Sequence, residues 1–452
     1  MTRFTLLLFL AALAATGWSQ PKTKPLAAAT TDQAFPVAQM TAYFDALEVA
    51  DRFMGTVAVS RNGNILYQRT LGYADVEAQR RIDATTQVRI GSISKSFTAV
   101  LVFKAIEERR LTRETTLERF CPSIPNAKKI TIDHLLRHKS GIHNFTNDPD
   151  YLSYHTSEQS KRMHLDRIAA AGSDFEPGLR SEYSNSNTVL LSFILEEVFG
   201  KPYDELLDMY IVGPAKLENT GMMLPAAKAK NAAFSYTYTT EWVREAETHP
   251  SVPLGAGAIA STAVDLLRFA DALHSGKLIR PETLEEMKRM DEGYGAGLFI
   301  LPYGKAKSYG HTGGIDGFAS MYSHFPNEGI SFAIITNGNR YDLNEVAIAV
   351  LDATFGNDFA IPTFSDYTPT ADELNALTGD YTSPQLPIGM TISVVDGVLT
   401  GQATGQPSFP LEATAPNRFT YTPAGVVIVF EPEKKTLRLE QGGGIYVFSR
   451  TE

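Results

Sequence analysis

Val88 to Phe97 reads VRIGSISKSF, and Thr98 to Phe103 continues it as TAVLVF. From Phe97 to Phe103 only Thr98 interrupts the apolar run, which is the pattern of a helix buried on every side. Ser92-Ile93-Ser94-Lys95 opens that helix, and a spacing of three puts the Ser92 and Lys95 side chains on one face, roughly 5–6 Å apart at Cβ. A serine hydroxyl is a weak nucleophile until a base takes its proton, and a lysine serves as that base when burial or nearby cations depress its pKa. The apolar helix supplies the burial. Its N-terminus adds a positive dipole end and free N–H groups, which favour a developing oxyanion over Ser92. The spacing alone is weak evidence, because average usage gives SxxK roughly twice by accident in a chain of this length. It occurs at Ser19 and at Ser92, so the second copy gains weight only from residues further along the chain.

Two such elements stand C-terminal to it. Tyr183-Ser184-Asn185 comes after the turn Pro177-Gly178 and before an apolar helical pattern from Val189 to Val198. A tyrosine beside a lysine can share its proton, and an asparagine amide can hold a substrate carbonyl or orient the lysine. Ser184 or Asn185 as an N-cap of the next helix is a compatible structural reading. His311-Thr312-Gly313-Gly314 stands ahead of a strand, where missing side chains let a substrate lie along the backbone; a plain glycine turn is the alternative.

In this order, SxxK, YxN and a His-Thr-Gly triplet resemble the serine β-lactamase and penicillin-binding-protein superfamily, in its class C-like branch. The flanking stretches LLRHKSGI (Leu135 to Ile142), PGLRSEYSN (Pro177 to Asn185) and GGIDGF (Gly313 to Phe318) agree with it, and the likeness covers roughly residues 40 to 345. It implies a β-lactamase/transpeptidase-like α/β (α+β) fold: an antiparallel sheet flanked by helices, a helical subdomain, and the site between them. It also implies Ser92 as the acylated nucleophile, with Lys95 and Tyr183 sharing general-base and general-acid work. Asn185, His311, Thr312 and Gly313 would bind substrate, and the backbone N–H groups of Ser92 and Gly314 would form the oxyanion hole. No metal or organic cofactor is implied.

The activity so implied is that of a serine hydrolase acting on a peptide, amide or ester, including D-amino-acid and peptidoglycan-type substrates. The alternatives are a class C-type β-lactamase and a penicillin-binding sensor or scaffold that is acylated without turnover. Two departures from the family pattern stand out. His311 replaces the lysine of the β-lactamases, and a largely neutral imidazole is a poorer anchor for a carboxylate, which favours peptidase or esterase relatives. If His311 held a substrate carboxylate, KM for acidic substrates would rise between about pH 6 and 7.5. Lys139 stands where the family usually has Thr.

The rest of the chain sets the frame. Its 452 residues are 43% hydrophobic and 20% charged, with 41 Lys+Arg against 51 Asp+Glu. That is globular composition with room for more than one domain, and the net charge of -10 gives nucleic-acid binding no electrostatic support. Cys121 is the one cysteine, which excludes an internal disulfide and a thiolate metal cage. Arg3, the apolar run Phe4 to Ala15, and the small residues Gly17 and Ser19 read as a cleavable signal peptide over residues 1 to about 19. The expectation is a periplasmic or secreted protein with no stable membrane anchor; an uncleaved anchor is the alternative. A small-molecule or peptide substrate is the expected partner, and the sequence assigns no oligomeric state.

A helix is expected over 36–50, then strands Gly55 to Ser60 and Ile65 to Tyr67 around Asn62-Gly63-Asn64, a helical middle, and strands Phe318 to Phe325 and Ser331 to Thr336. The hydrolase domain is expected over 20–365. A small antiparallel β domain is expected over 366–452, with runs such as Met390 to Val395 and Val426 to Phe430 about an Asp396-Gly397 turn, and with a lipocalin-like strand pattern. Gly255 to Ala260 satisfies GxGxxA without a convincing preceding strand, and reads as a loop and helix start with Ser261 or Thr262 as cap. His134 and His138 stand four apart with no third zinc ligand in sight. No GxSxG is present.

Overall fold

The computed structural model describes residues 34–451 except 226, 227, 230, 365, 366, 387, 422, 423, 442 and 443. The expected leader and the SxxK copy at Ser19 lie outside the described residues. The chain forms two units: residues 54–237 with 244–338, and the residues up to 53 with 238–243 and those from 339 onward.

The first unit carries a six-stranded sheet in the order Phe299–Tyr303, Ala306–Ile315, Phe318–Phe325, Ile330–Asn339, Phe53–Arg61, Asn64–Leu71. The last two form the expected hairpin, longer at both ends than the sequence pattern marked. Its turn places Asn62 at φ 50° and Gly63 at φ 77°, the paired positive values that let a two-residue turn match strand twist. Around the sheet lie helices Lys161–Ala171, Asn185–Phe199 and Ala263–His274, and the central helix Ser94–Glu107.

That central helix is buried at every residue from Ser94 to Phe103. Phe97 stacks on Phe269 with ring centroids 3.8 Å apart, and burying a side chain of this size stabilises by about 1.5–3 kcal/mol. Its polar residues are tolerated because each has a partner. Ser96 Oγ donates to the Gly297 carbonyl at 2.6 Å, Ser94 Oγ accepts from Ile259 N at 3.2 Å, and Thr98 Oγ1 donates to the Gly255 carbonyl at 2.8 Å. The α-helix begins at Ser94, however, and not at Ser92 as the pattern implied. Gly91–Ile93 form a preceding 3-10 turn, because Gly91 takes φ 50° and breaks the helical path.

The second unit holds helices Val37–Val49 and Leu343–Phe355 and a nine-stranded antiparallel sheet running from Gly379–Thr382 to Gly444–Arg450. The strands follow one another as a meander, and the first pairs with the last through Tyr381 opposite Arg450 and Thr382 opposite Ser449. The one seam lies between Phe409–Pro410 and Glu412–Ala415, so the sheet is a nearly closed barrel. Asp396 and Gly397, at φ 50° and 80°, make the expected hairpin turn. Tyr381, Ile392, Leu399, Phe419, Ile428, Phe430, Leu437 and Phe448 fill the interior. The lipocalin likeness therefore extends to strand order, while a packed core occupies the space where a barrel would hold a ligand.

Candidate active site

Ser92 sits half-exposed in the 3-10 turn, and Lys95 is the second residue of the helix after it. Lys95 is 2% exposed, and its Nζ lies 3.0 Å from Ser92 Oγ, 2.8 Å from Asn185 Oδ1 and 2.7 Å from the Ala256 carbonyl. Tyr183 Oη donates to Ser92 Oγ at 2.8 Å. Burial holds the Lys95 pKa well below that of a free lysine and raises that of Tyr183 above its ordinary value. The structure thus brings Lys95 and Tyr183 onto the Ser92 hydroxyl and Asn185 onto the Lys95 amine.

A neutral amine has two N–H bonds and one lone pair. Asn185 Oδ1 and the Ala256 carbonyl can only accept, so they take both hydrogens and leave the lone pair for Ser92. Asn185 is itself fixed at both ends. Its Nδ2 donates to Thr146 Oγ1 at 3.0 Å and its backbone N donates to Asn144 Oδ1 at 2.9 Å. That second bond caps the helix Asn185–Phe199. Ser184 holds the N-cap position without capping through its side chain and donates instead to the His143 carbonyl at 3.4 Å.

Two glycines let the neighbouring strand reach the nucleophile turn. A Cβ on Gly313 would stand 2.0 Å from the Ile90 carbonyl, and one on Gly91 would stand 2.8 Å from Gly314 N. The main-chain amide of Gly314 therefore lies against the turn that carries Ser92, with Gly314 exposed and Thr312 half-buried beside it on the strand Ala306–Ile315.

His311 departs from the expectation. Its ring is 2% exposed, packed 4.6 Å from Phe299, and Nδ1 donates to the Thr312 carbonyl at 2.5 Å, leaving Nε2 as an acceptor. Burial first, and the Lys95 charge second, lower its pKa to about 3. The expected KM rise between about pH 6 and 7.5 is therefore withdrawn: His311 is neutral across that window and enclosed.

Other sequence features take different places in the fold from those their spacing suggests. The helix carrying His134 ends at Leu136, so His134 and His138 do not share a helical face. His134 joins a capping box with Thr131, and His138, at φ 57°, packs its ring 4.6 Å from that of Tyr183. His138 Nδ1 also accepts from Ser184 N at 3.2 Å, and burial lowers its pKa to about 3. Among the described residues no cluster of His, Cys, Asp or Glu could hold a metal. Lys139 forms an ion pair with Asp291 at 2.9 Å. The GxGxxA stretch becomes a 3-10 turn, Leu254–Ala256, and a strand, Ile259–Ser261, with Thr262 capping the next helix. The sequence reading missed its contribution to the site, the Ala256 carbonyl. It missed Asn144, Thr146 and His138 as well. No side-chain pattern marks a main-chain acceptor, whereas Asn144 and Thr146 stand directly after the stretch LLRHKSGI.

Comparison with known proteins bears on the family and the fold. The family model described as Beta-lactamase matches residues 41–355. PbpX of Bacillus subtilis (strain 168), whose name assigns it to the penicillin-binding proteins, is 27% identical over 343 residues, covering 70% of this chain and 82% of that protein. A teichoic acid D-alanine hydrolase of Staphylococcus aureus (strain MRSA252) is 26% identical over 259 residues, 55% of this chain and 63% of that one. Among solved structures, D-amino acid amidase from Ochrobactrum anthropi SV3 aligns with a TM-score of 0.62 at 25% identity, covering 70% of this chain and 98% of that one.

Proposed function

The chain belongs to the Beta-lactamase family, and from that premise we propose that it is an exported serine hydrolase passing acyl groups through an ester on Ser92. Its substrates on this reading are amides, esters or short peptides of D-amino acids. The observation that carries the reading is the Lys95 lone pair, aimed at Ser92 by two neighbours that can only accept.

Lys95 Nζ takes the Ser92 proton as Oγ adds to the substrate carbonyl. The amides of Ser92 and Gly314 receive the developing oxyanion. Tyr183, kept protonated by its raised pKa, gives its proton to the departing amine or alcohol and recovers one from Lys95. Water then attacks the Ser92 ester with the same groups in reverse roles. The D-amino-acid preference rests on the activities for which two relatives are named, a teichoic acid D-alanine hydrolase and a D-amino acid amidase. The enclosed, neutral His311 supports amides and esters over substrates that need a cation for their carboxylate. Export rests on the N-terminal pattern of residues 1 to about 19, and the N-terminal sequence of protein recovered outside the cytoplasm tests it.

The experiment for the chemistry is intact-protein mass spectrometry with a fluorophosphonate and, separately, with a penicillin. The expected result is labelling at Ser92 by the fluorophosphonate, none in Ser92→Ala, and turnover of D-alanine amides and esters. A stable penicilloyl adduct with no hydrolysis of any D-aminoacyl substrate would replace this reading with the sensor. Fast loss of that adduct with no D-aminoacyl turnover would replace it with a β-lactamase.

A further inference from the structure

The glycine-rich stretch at Gly255 supplies one atom to the site, the Ala256 carbonyl that accepts from Lys95. A main-chain oxygen keeps its aim only if the peptide units beside it are held. The turn Leu254–Ala256 does not hold itself, because Leu254 takes φ 40°, in the left-handed region that a bulky side chain disfavours. Three buried hydroxyls, those of Thr98, Ser192 and Tyr203, hold it instead.

Each hydroxyl has a single proton, and its neighbours decide where that proton goes. Ser192 Oγ donates to the Thr188 carbonyl at 2.9 Å, so its lone pair receives the Gly255 N–H, 3.1 Å away. Thr98 Oγ1 stands 2.8 Å from the Gly255 carbonyl and 3.2 Å from the Ser94 carbonyl. Both can only accept, so the Thr98 proton is committed to them. The Tyr203 hydroxyl, 2.6 Å from Thr98 Oγ1, is then the donor of that pair. Tyr203, Thr98 and the Gly255 carbonyl form a one-way chain in which each bond strengthens the next. Gly255 is thus gripped at both N–H and C=O, and a Cβ there would run into Ser192 Oγ and Thr98 Oγ1. Thr98 lies one turn beyond Lys95 on the helix Ser94–Glu107, and Ser192 two turns beyond Asn185 on the helix Asn185–Phe199. Tyr203 begins the short helix Tyr203–Leu207. The Ala256 carbonyl is therefore fixed in the same frame as Lys95 Nζ and Asn185 Oδ1, the two atoms it works with.

We propose that Thr98, Ser192 and Tyr203 are positioning residues for the hydrolysis, acting on Ser92 through the Gly255 peptide, the Ala256 carbonyl and Lys95. This rests on the proposed acyl transfer at Ser92, and not on which substrate supplies the acyl group. A carbonyl held 2.7 Å from Nζ binds the ammonium form more strongly than the neutral amine. Loosening that carbonyl lowers the proton affinity of Lys95 further and frees its lone pair to turn away from Ser92. Tyr183, His138 and His311 are the titratable groups that face Lys95, and the substitutions below leave all three in place.

The test follows the rate at which a fluorophosphonate labels Ser92, by intact mass, from about pH 5 to 10. Ser92 Oγ displaces fluoride from phosphorus as Lys95 takes its proton, so the rate reports the base without a substrate. Thr98→Val keeps the shape and removes the hydroxyl; labelling should slow about tenfold, and its rising limb should move toward acid by about half a pH unit or more. Ser192→Ala should move the limb the same way, and Tyr203→Phe, which removes only the outer donor, should move it less far. Thr98→Ser keeps the hydroxyl and loses a buried methyl, so it should restore the parent limb at a lower melting temperature. A limb unmoved in Thr98→Val, or moved as far in Thr98→Ser, would assign these residues to stability alone and overturn the proposal. Variants that shift the limb in a protein hydrolysing no D-aminoacyl substrate would support the clamp and count against the proposed substrates only. A parent whose labelling shows no rising limb would remove Lys95 as the base and overturn both.

Discussion

Lys95 is surrounded by three oxygen atoms, and one of them, Ser92 Oγ, can give it a proton. The expected outcome is a rate that rises with pH as the depressed Lys95 pKa is passed, because only the neutral amine is a base. Lys95→Arg keeps the charge, never deprotonates in this range and should lose about 10³-fold in kcat/KM together with that rising limb. Tyr183→Phe keeps the ring against His138 and removes the proton donor, so kcat should fall about 10²-fold with little change in melting temperature. KM for an acidic substrate should be flat from about pH 6 to 7.5; a rise there would show His311 charged and open. The Ser92–Lys95 relation was legible because both lie within one turn of chain. Tyr183 joined them only through motif order, 91 positions on. The burial of His311 was not legible, since it comes from Phe299 and the fold of a neighbouring strand.

Among the elements, the strand Ala306–Ile315 and the turn Gly91–Ile93 meet through backbones alone. Gly313→Ala would place a methyl 2.0 Å from the Ile90 carbonyl, so strand and turn must separate. The expected result is a lower melting temperature with at least about 10²-fold loss of hydrolysis, measured beside a protein with the same change at Gly221, where an added Cβ meets nothing. Asn62-Gly63 and Asp396-Gly397 were readable as hairpins because the turn residues themselves demand positive φ. The start of the central helix was misplaced by two residues for the converse reason. A glycine inside VRIGSISKSF can break the helix or merely weaken it, and the decision came from Gly314, more than two hundred positions away.

At the scale of the molecule, histidines shielded from solvent weigh on the response to acid, His164 among them, its pKa lowered by burial. Burial lowers the pKa values of His138 and His311 to about 3, that of His324 to about 4 and that of His274 further. Unfolded histidine titrates near pH 6.5, so between that value and the folded ones the unfolded chain holds more protons. Stability therefore rises with pH across this window and is lost as pH falls below about 6.5, each group contributing up to about 1.4 kcal/mol per pH unit. His274 and His324 stack with centroids 4.1 Å apart. Replacing both with Phe should flatten the fall in melting temperature between about pH 6 and 4 and leave hydrolysis at neutral pH intact. An unchanged slope would assign acid lability to carboxylates instead. The helical middle and the returning strands were legible from periodicity, whereas this electrostatic load was not, because burial is a property of the assembled fold.

The seam of the nine-stranded sheet has a consequence for life at high concentration. A sheet that fails to close leaves edges, and an open edge invites a foreign strand. Here the two edges are a pair of residues, Phe409–Pro410, and a strand of four, Glu412–Ala415, whose register is broken between Ala413 and Ala415. One edge carries a proline with no N–H to offer, and the other is too short and too kinked to template a neighbour. The module can stay open at one line and still present almost nothing on which a fibril could grow.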